Sequence, residues 1–127
     1  MSTTDEQLAK ATDHLQTSYI FIEQAEEELG RGDILQASEK AWGAAVHVVK
    51  AASVQRRWKH GKYGPLRENV QRIADECNDA ELPPLFRLAN SLHRNFYEDS
   101  LDEEDVRKSI GDVRVFLRKI EKQIFSV

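Results

Sequence analysis

Apolar residues recur at three- and four-residue steps along most of this chain, and no long stretch alternates with a period of two. That rhythm predicts helices rather than strands. It resolves into five segments. The first runs from about Thr4 to Leu29, where Leu8, Ala11, Leu15, Ile22, Ala25 and Leu29 form one stripe, and Thr4 and Gln7 have capping-box spacing. Gly30-Arg-Gly-Asp33 ends it, glycine supplying a left-handed stop, and Asp33 caps the next helix with Gln36 three residues on. The second segment, about Ile34 to Arg56, carries Ala37, Ala41, Ala44, Ala45, Ala51 and Ala52 with Val48 and Val49. Small residues all along one helix predict a central element closely approached by its neighbours.

After a loop from Trp58 to Gly64, Pro65 fits the first turn of a third helix reaching about Asn78, with Leu66, Val70, Ile73 and Cys77 inward. Pro83-Pro84 opens a fourth helix. Ser100 and Glu103 have the spacing of a further capping box, and the fifth helix then runs almost to the end. Its Val106, Ile110, Val113, Leu117, Ile120 and Ile124 form the most regular stripe in the chain, expected to pack the protein's own core. The expectation is an all-α, antiparallel up-and-down bundle of four main helices plus one shorter helix, occupying residues 1–127 as a single domain.

Composition narrows the class. The chain has 127 residues, enough for one real core without a metal or disulfide staple. Few turn formers are present (6 Gly, 3 Pro), which argues against an all-β chain. The formal net charge of -4 counts against coating of bulk polyanions, though not against a local basic patch. One cysteine, Cys77, cannot form an internal disulfide, and no apolar run approaches the roughly 20 residues of a membrane span. The polar start, Met-Ser-Thr-Thr-Asp-Glu-Gln, lacks the basic and apolar regions of a signal peptide. A cytoplasmic protein without membrane association is expected.

Motifs for a phosphate loop, CxxC or HExxH are absent, and neither cofactor nor metal is expected. His14 on a polar helix face and His47 on the alanine-rich helix do not by themselves point to a site. Two other regions do. Between Ser53 and Arg72, six cations (Arg56, Arg57, Lys59, Lys62, Arg67, Arg72) meet one acid, Glu68, with Trp58 and Tyr63 interleaved. Cations for phosphates beside rings for bases are what a nucleic-acid surface needs, so Arg56, Arg57, Lys59, His60 and Lys62 are candidate contacts. The alternative is a solvated loop with Trp58 folded into the core. On the fourth helix, an Arg and a His together suit phosphodiester chemistry: His93 would move a proton and Arg87 would stabilise charge on phosphorus. Six residues apart, they lie about 240° around an ideal helix, not on one face.

Gly32-Asp-Ile-Leu-Gln-Ala-Ser-Glu-Lys-Ala-Trp-Gly-Ala-Ala45 resembles the second helix of prokaryotic HEPN proteins (higher eukaryotes and prokaryotes nucleotide-binding). Arg87…His93-Arg-Asn-Phe-Tyr97 is similar to that family's Arg-x(4–6)-His motif, and His60-Gly61 also fits its pattern. The resemblance spans about Leu8 to Ile124. It implies an up-and-down bundle that usually dimerises, with Arg87 and His93 in a cleft supporting metal-independent RNA cleavage. Many such proteins are toxins paired with a nucleotidyltransferase antitoxin; others only bind nucleotides. Active members commonly follow the arginine with a polar residue, where this chain has Leu88; the nearest amide is Asn90. Tyr97 and Glu98, about one turn beyond His93, are placed by spacing to orient it. Two functions are therefore expected as alternatives: RNA cleavage as a toxin, or a non-catalytic nucleotide-binding or protein-interaction module. A homodimer, RNA or a nucleotide, and a nucleotidyltransferase are the expected partners.

Overall fold

A computed structural model describes residues 4–125, with the backbone alone for Phe125. They form α1 (Asp5–Gly30), α2 (Ile34–Arg56), α3 (Tyr63–Cys77), α4 (Leu82–Glu98) and α5 (Glu103–Phe125), and no strand occurs among the described residues. The fold is the all-helical bundle expected, with α3 the short member. The ends of α1 and α2 follow from local chemistry. Thr4 Oγ1 accepts from Gln7 N while Thr4 N donates to Gln7 Oε1, which closes a capping box. Gly32 takes φ +84° after α1, and Gln36 N donates to the Asp33 carboxylate at 3.0 Å. At α5 the cap differs from the expected Ser100/Glu103 pair. Asp105 N donates to Asp102 Oδ1 at 2.8 Å and Asp102 N to Asp105 Oδ2 at 3.2 Å. Both spacings are three residues, and Asn95 takes Ser100 by accepting its N–H at 2.8 Å.

Alanines make α2 the hub: it packs against each of the other four helices. Ala37, Ala41, Ala44, Ala45, Val48, Val49, Ala51 and Ala52 are all fully buried. At Gly43 the close approach is tight, since a Cβ there would stand 2.8 Å from the Phe21 ring of α1. The α5 stripe is buried from Val106 to Ile124, so it packs the protein's own core. The α1 stripe begins at Ala11 rather than Leu8, which is 41% exposed because it lies near the open end of the helix.

Two buried asparagines that the apolar rhythm does not reveal tie loops to this hub. Asn69 Nδ2 donates to Ser53 Oγ and to Lys59 O, both at 2.8 Å. Asn95 Nδ2 donates to Ser38 Oγ at 2.9 Å, and its Oδ1 accepts from Ser100 N and Leu101 N. Each asparagine clamps a connecting loop to one end of α2, and buried amides so satisfied fix a loop's path.

Candidate functional site

The first clamp shapes a cleft. Past Arg56 the chain reverses through Arg57 in the left-handed conformation (φ 61°, ψ 34°), and Trp58 N donates back to Ser53 O. A left-handed non-glycine residue costs about 1 kcal/mol. Here the Asn69 clamp on Lys59 O holds the turn. The returning segment lies against the first half of α1 and leaves a cleft of about 390 Å³. Gln7, Lys10 and His14 come from α1, Val54 from α2, and Arg57, Trp58 and His60 from the turn. Among the described residues, no carboxylate lines it. Arg57 Nη2 donates to Gln7 Oε1 at 3.2 Å, and Lys10 pairs with Glu6 at 3.3 Å at an exposed position where such pairs are weak.

Three histidines meet here. His14 Nδ1 and His47 Nδ1 are 3.1 Å apart, and the His60 ring stands edge-on 6.3 Å from His14. His60 Nδ1 donates to Trp58 O at 2.9 Å. Burial holds the His14 pKa below its usual value, aided by His47, Lys50 and His60 and opposed by Asp13. Burial and then Lys50 lower His47 likewise. Among the described residues, no group of three or more His, Cys, Asp or Glu side chains is arranged to hold a metal ion. Position along the hairpin was the signal for this meeting: His14 and His47 lie 17 and 16 residues either side of Arg31, so an antiparallel pair of helices sets them opposite.

The basic segment divides. Arg57 and His60 line the cleft, whereas Arg56 turns inward, its Nε and Nη2 meeting Glu76 Oε1 at 3.2 and 3.1 Å and its Nη2 donating to Gln123 O. Arg56 thus ties α2 to α3 and α5 and is spent on the fold. Trp58 packs partly into the core with Arg72 over its ring at 3.9 Å and Arg56 at 5.5 Å. Those cations take the place a stacked base would need. Lys59 and Lys62 are exposed, and Tyr63 stacks on Phe86 at 5.8 Å, away from the basic turn.

On α4, His93 is half-buried. Its Nδ1 is 2.9 Å from Glu39 Oε1, its ring stacks on Trp42 at 5.6 Å, and Tyr97 stands edge-on to it at 5.5 Å. Tyr97 therefore does neighbour His93, while remaining 73% exposed. Glu98 is exposed and has no hydrogen bond or ion pair among the described residues; the carboxylate that holds His93 is Glu39, from α2. Arg87 is exposed and has no partner among the described residues. About 120° the short way round the helix separates it from His93. Asn90 is half-buried, about 60° from His93 on that helix.

A profile of the archaeal PaREP1/PaREP8 family matches residues 13–117. The chain belongs to this family. A crystal structure of a Sulfolobus solfataricus protein superimposes with a TM-score of 0.76 at 29% identity, covering 85% of this chain and 96% of that one. No curated protein matches. PaREP1/PaREP8 membership corrects the HEPN resemblance. The two segments that suggested it, Ala37-Ser-Glu-Lys-Ala-Trp42 and Arg87…His93, are one packing unit here: Glu39 and Trp42 are what hold His93. An alanine-rich helix and a loosely spaced Arg and His arise from bundle packing as readily as from a nuclease motif. Nuclease-toxin activity and a nucleotidyltransferase partner rested on that resemblance and lose its support. For this PaREP1/PaREP8 chain, no described helix is long and apolar enough to cross a membrane.

Proposed function

We propose that this protein is a non-catalytic module that binds a phosphate-bearing small molecule of nucleotide size in the cleft between α1 and the C-terminal turn of α2. The observation that carries this reading is the lining: Lys10, Arg57, His14 and His60 with no carboxylate. Guanidinium and ammonium groups in a partly enclosed site attract phosphate strongly. The volume of about 390 Å³ lies within the roughly 300–1,000 Å³ range of ligand pockets. The test is calorimetric titration with AMP, ATP and adenosine. AMP and ATP are expected to bind and adenosine not. Equal binding of adenosine, or no heat with any of them at millimolar concentration, overturns the reading.

A second reading rests on Glu39 and His93. A carboxylate on Nδ1 fixes the tautomer and leaves Nε2 to accept a proton, the arrangement of a general base. RNA cleavage is the corresponding activity, with Arg87 supplied by a second copy of the chain. It predicts a homodimer by light scattering and RNA cleavage in EDTA that His93→Ala abolishes. A strict monomer, or equally intact RNA with both proteins, sinks it.

A further inference from the structure

We infer that the cleft takes a phosphate monoester, and that the His14–His47 pair takes up one proton when it binds. This rests on the reading of the cleft as an anion site and adds a charge state to it. The geometry of the pair carries the argument. With two Nδ1 atoms 3.1 Å apart, one must carry hydrogen and the other a lone pair. In the neutral pair the donor ring's Nε2 is then unprotonated. A proton added there turns the contact into a charge-assisted N–H···N bond and keeps it intact. A second proton would place N–H against N–H and break it. The pair therefore holds charge 0 or +1 in this conformation, and not +2.

The surroundings decide which charge it holds. On α1, His14 is flanked by Asp13, Lys10 and Gln7; on α2, His47 and Lys50 face it; from the turn come Arg57 and His60. His47 meets Lys50 and the edge of Phe21 at 5.4 Å. Asp13 is the one acid in that set. Burial and the neighbouring cations disfavour a charge on the pair. A dianion in the cleft reverses that field, and the proton enters. A phosphate monoester carries the matching charge, about -1.5 to -2 at pH 7, against Lys10, Arg57 and one shared proton. A phosphodiester, with one charge, gains less from the proton.

The test is titration of the intact protein with AMP and with sulfate, a dianion that does not itself titrate here. Performed at pH 6.5 in two buffers of different ionisation heat, it reads protons taken up per ligand. Uptake approaching one proton is expected, with affinity rising up to about tenfold per pH unit lowered between 8 and 6.5. The double variant H14Q/H47Q should abolish the uptake and hold affinity at its pH 8 level. Because that variant also changes a half-buried contact, the imidazole resonances of the unaltered protein give an independent reading. The midpoints of His14 and His47 should move up on adding sulfate. Binding without proton uptake or resonance shift overturns this inference and leaves the phosphate site standing. Absence of binding overturns both.

Discussion

His93 and the His14–His47 pair are imidazoles at similar depth in one bundle, in opposite settings. His93 has a carboxylate on Nδ1 and a tryptophan against its ring, so its partners come from the fold itself. His14 and His47 have each other, with Lys50, Lys10 and Arg57 close by and no carboxylate hydrogen-bonded to either. The first arrangement is complete without a ligand. The second gathers cations around a half-buried pair to which no carboxylate is hydrogen-bonded. A histidine's sequence context does not separate these cases; the helices packed against it do.

The two asparagine clamps offer the sharpest way to break this comparison, with the largest expected effect. Asn69→Ala leaves Lys59 O without its donor, and Asn95→Ala leaves the N–H groups of Ser100 and Leu101 without their acceptor, while Ser53 Oγ and Ser38 Oγ keep their bonds to Val49 O and Ile34 O. Each should lower stability by about 1–3 kcal/mol, the cost of losing the partner of a buried or part-buried polar group. Urea unfolding reads this. Only Asn69→Ala releases the Arg57–His60 turn, so only it should weaken AMP binding. Equal loss of binding in both variants would show that the cleft depends on overall stability and not on its clamp.

Charge removal is the next effect in size. Arg57→Gln should weaken AMP binding about tenfold, near the value of a hydrogen bond to a charged group. Arg87→Gln, on the α4 side, should leave AMP binding unchanged. A loss confined to Arg87→Gln would move the anion site to the His93 face.

The architecture was legible because burial imposes a period. The apolar stripes of α1, α3 and α5, the Pro83-Pro84 start of α4, the Thr4 and Asp33 caps and the alanine-rich hub all follow from residues that act within a turn or two of themselves. The cleft was only half legible. Arg57 and His60 stood out by local charge, but Arg56 stood out equally and is consumed by Glu76 and Gln123 O. Which cation a helix end turns inward depends on α3 and α5, far along the chain. Asn69, Asn95 and the His14–His47 contact were hidden for the same reason: each acts through a partner at least 16 residues away. The Arg87/His93 spacing drew notice because it was local, and Glu39, 54 residues from His93, was the partner it lacked.

A smaller effect is expected from pH. The His14 and His47 pKa values are lowered by folding, so the unfolded chain binds their protons more readily. Their stabilising contribution is present above the unfolded value of about 6.5 and is lost as pH falls through the lowered values. The melting temperature should hold between pH 8 and 7 and decline from about 6.5 toward 5. Sulfate should reduce the decline, and His47→Gln should lessen it, leaving the part due to half-buried His14. Glu26 and Asp79, lowered by hydrogen bonds from Arg114 and Lys119, lose their contributions only below about pH 4.5, so their effect falls in a separate window.

The smallest effect should come from Glu39→Gln at the contact between α2 and α4. The pair is partly exposed, with side chains 38% and 30% accessible, and exposed pairs contribute about 0.2–1 kcal/mol. Glutamine keeps an oxygen that can accept from His93 Nδ1, and the Trp42 stacking on the ring does not depend on the charge. Unfolding should therefore shift by less than about 1 kcal/mol, and AMP binding should not change. A large loss of stability would mean that His93 is held as a charged partner of Glu39. The two histidine regions would then differ in the sign of the charge they meet, not in whether they need a ligand to meet it.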